Sequence, residues 1–297
     1  MGASSHSILF LGTGIMGAPM VRCMEKAGQS LTVWNRSPEK AEVLASDTVS
    51  VVRDLTTLPE ANYLIIVMLS TGQVVDDVLF GTGDTPGLAA KLLPGSIVVV
   101  MSSIPVDVSR AQAERLKNLG VGYIDAPVSG GEKGATEGTL SIMAGGQVDD
   151  IAAVRPSLEA MGKVIHVGPV GCGQLSKLAN QTIVGITIGA VSEALLIAKA
   201  GGADLTGVRE ALLGGFAKSE ILYQHGQRMI DGNFTPGAKS EVQLKDCTTA
   251  HALAQALGVD TPLLAETKAL YNSLCEKGGH LMDHSALYAL LDGQLND

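Results

Sequence analysis

The sequence predicts an α/β chain: a doubly wound parallel sheet, then an all-helical domain, joined by one long central helix. Three observations carry this expectation. Short apolar, β-rich runs alternate with helical patterns from Ser7 to about Val167. Strands separated by helices in this way form right-handed βαβ units and pair in parallel. After Gly168-Pro169-Val170-Gly171-Cys172-Gly173 no strand pattern recurs. From Gln174 to Ala200 the chain then runs without proline, apolar on nearly every helical face over Ile183–Val191. That pattern predicts a helix buried all round.

The elements follow in order. Ser7–Leu11 reads as the first strand, succeeded by a glycine-rich turn and a helix to Ala27. Ser30–Trp34, Tyr63–Met68, Ser96–Val100 and Tyr123–Asp125 are further strands, and Ser141–Ala144 and Lys163–Val167 complete the sheet. The Gly/Pro cluster acts as punctuation, placing residues 1–168 in a first domain and 169–297 in a second. At 1.5 Å per residue the central helix would be about 40 Å long. Later helices are expected at about 204–213, 217–231, 240–257, 262–277 and 283–293.

Composition narrows the function. Glycine supplies 36 of 297 residues, about 12% where about 7% is typical. Many positions must therefore turn sharply or admit a ligand close to the backbone. A net charge of −9 argues against a nucleic-acid partner. Four cysteines without Cys-x-x-Cys spacing fit neither a zinc cluster nor a disulfide scaffold. They read as free thiols of a reducing, cytoplasmic setting. Met1–His6 shows no export signal, and His6 stands where a myristoylation signal needs Ser or Thr. The most apolar stretch, Thr182–Val191, is too short for a bilayer, so no membrane association is expected.

The turn after the first strand, Gly12-Thr13-Gly14-Ile15-Met16-Gly17, fits G-x-G-x-x-G and opens a helix. This is the context of a dinucleotide-binding Rossmann loop. Gly12 would make the tight turn, Gly14 would let the pyrophosphate approach, and Gly17 would let helix and strand pack closely. An acid at the end of the second strand would accept the ribose hydroxyls of NAD. Here Asn35, Arg36 and Ser37 stand instead. Removing the carboxylate and adding a guanidinium favours the 2′-phosphate of NADP, with NAD possible. Arg36 could alternatively stack on adenine alone.

Further motifs follow in a fixed order: Asp125-Ala126-Pro127-Val128-Ser129-Gly130-Gly131, Gly138-Thr139-Leu140, Gly145-Gly146, Gly171 to Lys177-Leu178-Ala179-Asn180-Gln181, Lys245-Asp246, and Asp283-His284-Ser285-Ala286. Over roughly 7–292 this series resembles the β-hydroxyacid dehydrogenase family. The resemblance implies hydride transfer between a nicotinamide and a short β-hydroxyacid, with tartronate semialdehyde and D-glycerate the first candidate pair. 3-Hydroxyisobutyrate, glyoxylate and succinic semialdehyde are alternatives.

It also implies roles. Lys177 is the expected general acid/base; burial would bring its pKa from about 10.4 toward about 7–8, where proton transfer is efficient. Asn180, one turn on, is expected near the reacting oxygen, with Gln181 where the family often has a second Asn. Ser129, Gly130 and Gly131 are expected to hold a small substrate carboxylate. Ser103 corresponds to a hydroxyl near the nicotinamide. Met68, Leu69 and Ser70 would meet the cofactor through backbone, and Lys245 would reach it from a late helix.

His280, Asp283 and His284 offer a conceivable metal face but read better as a satisfied helix start, so no metal is expected. No step requires Cys172, although a helix N-terminus would favour its thiolate. The wholly apolar central helix implies a homodimer or a homotetramer. A cofactor-sensing or structural protein reusing the fold is the non-enzymatic alternative. The intact Lys177, Asn180 and Ser129 set argues against it.

Overall fold

The computed structural model describes residues 7–295. Its backbone divides into two compact units, up to Lys177 and from Leu178. The boundary falls inside the central helix, past the expected break at 168/169.

Among the described residues, the first unit is built on eleven strands: β1 Ser7–Leu11, β2 Leu31–Trp34, β3 Val49–Val51, β4 Tyr63–Val67, β5 Gly81–Thr82, β6 Thr85–Pro86, β7 Ile97–Val100, β8 Gly122–Asp125, β9 Val128–Ser129, β10 Leu140–Gly145 and β11 Gly162–Gly168. Helices α1 Gly17–Lys26, α2 Glu39–Glu42, α3 Gly72–Phe80, α4 Val106–Lys117, α5 Gly131–Glu137 and α6 Val148–Leu158 connect them. The sheet order is β11-β10-β8-β7-β4-β1-β2-β3, with β9 paired to β10. The chain walks outward from β1 to β3, then crosses back to β4 on the other side of β1. This reversal creates the crevice where doubly wound sheets bind ligands.

Two features depart from the expected parallel sheet. β10 is antiparallel to β8 and β9, so it and its parallel neighbour β11 run against the rest. α5 has only seven residues, about 10 Å of helix. It turns the chain at the end of β9 and sends it straight back as β10. Three further features lie outside the expected strands: β3, whose Val-Ser-Val is too short to show a period, the two-residue β9, and the small β5–β6 hairpin.

Strands β4 and β7 are buried on both faces, as parallel strands beneath two helical layers must be. Alternate residues feed two cores. Phe10, Ile66, Val99 and Ile124 pack with Met20 and Met24 on one face. Leu9, Leu11, Ile65, Val98 and Val100 pack with Val75 and Leu79 on the other. Each such burial contributes about 1.5–3 kcal/mol against chain entropy. At one edge β3 is three residues long. At the other, Arg155 donates to the Val164 carbonyl of β11 at 2.9 Å.

Helix α7, Cys172–Ala200, runs out of the first unit. The second unit adds α8 Leu205–Leu213, α9 Glu220–Asp231, α10 Ser240–Ala256, α11 Pro262–Glu276 and α12 Leu287–Leu291. Caps set their starts. Asp204 accepts from the Thr206 and Gly207 amides. Ser219 accepts from Leu222 N, which starts α9 at Glu220 rather than at 217. The expected helix at 283–293 is instead a 3₁₀ turn, His284–Ala286, followed by the short α12.

Asp283 causes that change. Its fully buried carboxylate accepts from Gly237 N (2.9 Å), Ala238 N (3.1 Å), Ser285 N (3.1 Å) and Ser285 Oγ (2.6 Å). Beside it the His225 and His284 rings share an Nε2···Nε2 hydrogen bond of 3.1 Å. Both carboxylate oxygens are occupied, so the cluster works as a clasp between α9, the loop before α10 and the 3₁₀ turn.

One expectation for α7 is corrected. It is not buried all round: Leu178, Ile188, Val191 and Leu195 form an inward stripe, while Ile183 is 66% and Ile197 73% exposed. At 29 residues the whole helix is also long and apolar enough, by length and composition, to cross a membrane.

Candidate active site

The glycine-rich turn is closed by backbone contacts that no side chain could share. A Cβ on Gly12 (φ +100°) would lie 2.2 Å from the Met68 carbonyl oxygen, and one on Gly17 1.8 Å from that of Gly12. Gly14 instead faces open space. Helix α1 begins at Gly17, and the first-turn amides of a helix lack intrahelical partners and carry its positive end. A diphosphate therefore fits over Gly14 with nothing to displace. Ile15 is 75% exposed beside it, and Met16 packs against the core.

Asn35 clips this turn to the next strand end. Its Oδ1 accepts from Thr13 N at 3.1 Å, and its Nδ2 donates to Ser37 O at 3.0 Å. A carboxylate could make the first bond but not the second. Arg36 is exposed alongside. Thr13 is buried, and its Oγ1 is an orphaned polar atom.

The carboxyl ends of the central strands are stitched together. Met68 N donates to Leu11 O, Met101 N to Val67 O and Ala126 N to Val100 O, each at 2.8 Å. Leu69 N donates to Ser102 Oγ at 2.8 Å. Met68 and Leu69 thus lie directly against the Gly12 turn, with Ser70 exposed beyond them. Ser103 follows as a half-buried residue. The hydroxyl that organises this corner belongs to Ser102, which the sequence reading passed over.

Lys177 sits in the second turn of α7, half-buried, and its Nζ donates to the Val128 carbonyl at 2.9 Å. Val128 precedes Ser129, Gly130 and Gly131, and both glycines take positive φ (+137° and +62°). The first turn of α7 is fixed in turn by two buried residues. Asp125 accepts from Gly171 N and Gln174 N, each at 2.8 Å. Gln174 donates to Ser102 O at 2.9 Å and accepts from Ile104 N at 3.1 Å. Burial pushes the Asp125 carboxyl up to about 6, against the opposing hydrogen bonds from Gly171 and Gln174.

In the second unit, Asn180 Nδ2 donates to Gln181 Oε1 at 2.9 Å, and Gln181 Nε2 donates to Asp246 Oδ2 at 2.8 Å. Gln181 is thereby committed to orienting Asn180. Lys245 pairs with its neighbour Asp246 at 3.3 Å. Asp246 itself is buried, an anchor the sequence reading mentioned only as Lys245's neighbour.

Comparison with known proteins gives this architecture its place. Residues 7–171 match the NAD binding domain of 6-phosphogluconate dehydrogenase, and 171–291 the NAD-binding domain of NADP-dependent 3-hydroxyisobutyrate dehydrogenase. Fold and site together define an oxidoreductase that works with a nicotinamide cofactor. The chain is 45% identical over 289 residues to 2-hydroxy-3-oxopropionate reductase of Escherichia coli, covering 97% of each chain. A structure of Mycobacterium tuberculosis 3-hydroxyisobutyrate dehydrogenase with L-serine superposes with a TM-score of 0.86 at 28% identity, covering 96% of this chain and 99% of that one. The protein Psf3, in complex with NADP+ and 2-OPP, superposes with a TM-score of 0.84 at 25% identity, covering 96% and 99%. The chain belongs to the 3-hydroxyisobutyrate dehydrogenase-related family and is an NAD(P)-dependent β-hydroxyacid dehydrogenase.

The closed turn makes Gly17→Ala a sharp test of cofactor binding. The added methyl cannot coexist with Gly12 O at 1.8 Å, so α1 must back away from the turn. Nicotinamide-nucleotide affinity, read by fluorescence titration, is expected to fall at least about tenfold, a loss of about 1.4 kcal/mol. Unchanged affinity would contradict the assignment of this turn.

Proposed function

We propose that the enzyme reduces tartronate semialdehyde to D-glycerate and prefers NADPH to NADH. The observation that carries the reading is Lys177, whose ammonium lies 2.9 Å from Val128 O, at the mouth of the Ser129–Gly131 loop. When bound, the nicotinamide cofactor supplies the hydride. Lys177 holds the proton destined for the carbonyl oxygen. Ser129 and the amides of Gly130 and Gly131 hold the substrate carboxylate, a cradle of small residues suited to a short acid. Asn180, steered by Gln181, orients the reacting oxygen. Full-length similarity to the E. coli 2-hydroxy-3-oxopropionate reductase supports this substrate over others.

The preference for NADPH rests on Arg36 and on Asn35, which leaves no carboxylate to repel a 2′-phosphate. The apolar outer stripe of α7 (Ile183, Ile197) supports assembly as a homodimer or homotetramer. A steady-state screen of tartronate, methylmalonate and succinic semialdehydes and glyoxylate with both cofactors tests the reading. The expected ranking puts tartronate semialdehyde with NADPH highest in kcat/KM, and Arg36→Ala is expected to narrow the NADPH preference at least about tenfold. A higher kcat/KM with methylmalonate semialdehyde would move the assignment to 3-hydroxyisobutyrate.

A further inference from the structure

We propose that Asp125 is a positioning residue for the proton-transfer step, holding the first turn of α7 so that Lys177 meets the substrate carbonyl. This inference rests on the reading of Lys177 as the proton donor. Asp125 is fully buried at the end of β8, and each of its oxygens takes one backbone amide from the start of α7 at 2.8 Å.

The surroundings are shaped to this carboxylate. A Cβ on Gly145 would lie 2.6 Å from Asp125 Oδ1, and one on Gly173 2.8 Å from Oδ2. Gly145 at the end of β10 and Gly173 in the first turn of α7 itself thus leave room for it, Gly173 also for the Asp125 and Met143 backbone carbonyls. A serine or threonine hydroxyl would cap a helix with a single acceptor and little desolvation. Burying a carboxylate is costly, so a cheaper cap would serve if capping were the sole requirement. What the carboxylate adds is a bidentate grip, two acceptors on one rigid plane, which fixes rotation of the helix as well as its end.

Gln174 supplies the second point of attachment, to Ser102 O and Ile104 N. Lys177 is three residues past Gln174, on the same helical face. The two contacts therefore set where the ammonium points relative to Ser129. Misplacement of a reacting group by about 1 Å can cost about 100-fold in rate.

The test compares Asp125→Asn with Gln174→Met, each alone and combined with Lys177→Ala. Asparagine turns one acceptor into a donor facing an amide. Methionine keeps the volume of Gln174 and removes both of its bonds. Melting curves and NADPH titration establish that each variant is folded and binds cofactor. Asp125→Asn is expected to lower kcat about 100-fold with KM and NADPH affinity within about threefold, and Gln174→Met to lower kcat about tenfold. In the Lys177→Ala background, read by single-turnover NADPH oxidation, neither change is expected to lower the rate further. A kcat within threefold of wild type in folded Asp125→Asn, or an equal fall in the Lys177→Ala background, overturns the proposal. If Asp125→Asn does not fold, Gln174→Met decides by the same criterion. Undiminished activity of Lys177→Ala alone would instead defeat the reading of Lys177, a distinct outcome.

Discussion

Lys177→Ala is expected to lower kcat by roughly 10²–10⁴-fold, the range that a positioned general acid contributes, while NADPH affinity stays within about threefold. Alanine removes the donor beside Val128 O but leaves the nucleotide turn at Gly12–Gly17 and its clip to Asn35 untouched. Loss confined to the chemical step separates proton transfer from binding. Lys177→Arg is expected to restore little, because a guanidinium keeps its proton at any working pH. Stopped-flow measurement of NADPH oxidation reads the step directly. A variant that bound cofactor poorly and turned over normally at saturation would give Lys177 a binding role instead.

Asp283→Ala is expected to destabilise the protein by about 3–5 kcal/mol, measured by urea unfolding at pH 7. Truncation leaves the buried amide of Ser285 and the amides of Gly237 and Ala238 without their acceptor. Acid should do part of the same work. Burial alone would raise the Asp283 carboxyl, but the His225 ring and Ser285 outweigh it and hold it well below the usual carboxylate range. Its contribution is present above about pH 4 and is lost as pH falls below that.

His284 acts earlier. Burial and the neighbouring His225 push its pKa down to about 4, against about 6.5 in an unfolded chain. The unfolded state binds the proton first, so stability falls by about 3 kcal/mol between pH 6.5 and 4. Asp125 works the other way: with a folded pKa of about 6 it takes up its proton first in the native state. It adds about 3 kcal/mol as pH falls from 6 to about 4. Wild-type stability is therefore expected to stay nearly level from pH 6.5 to 4 and to drop steeply below. A steady decline beginning at pH 6.5 would show that Asp125 does not offset His284.

What was legible in the sequence follows physical range. The glycine turn at 12–17 and strands β1, β2, β4, β7 and β8 are local patterns of residue size and period, and the structure has them where the residues put them. The reversal of β10 and β11 was not legible, because it depends on where a seven-residue helix leaves the chain. The 3₁₀ turn at 284–286 was missed for a related reason: Asp283 meets Gly237 and Ala238 only once the chain is folded, whereas the Ser219 cap of α9 is local, three residues from Leu222, and was within reach of the sequence. The site divides likewise. Lys177, Ser129 and Asn180 stand in motifs, whereas Asp125, Ser102 and Gln174 act through partners 33 to 72 residues away. Asp125 opens one of the quoted motifs, yet nothing in that run points to residues 171–174.

The two margins of the sheet bear on how the protein behaves when crowded. A long bare strand edge invites another chain to extend the ladder and seeds aggregation. Here one margin ends in three residues, too few to template a neighbour, and at the other the Arg155 guanidinium occupies a carbonyl of β11. Both margins are poor seeds for ladder growth, so preparations should resist edge-to-edge clumping at high concentration.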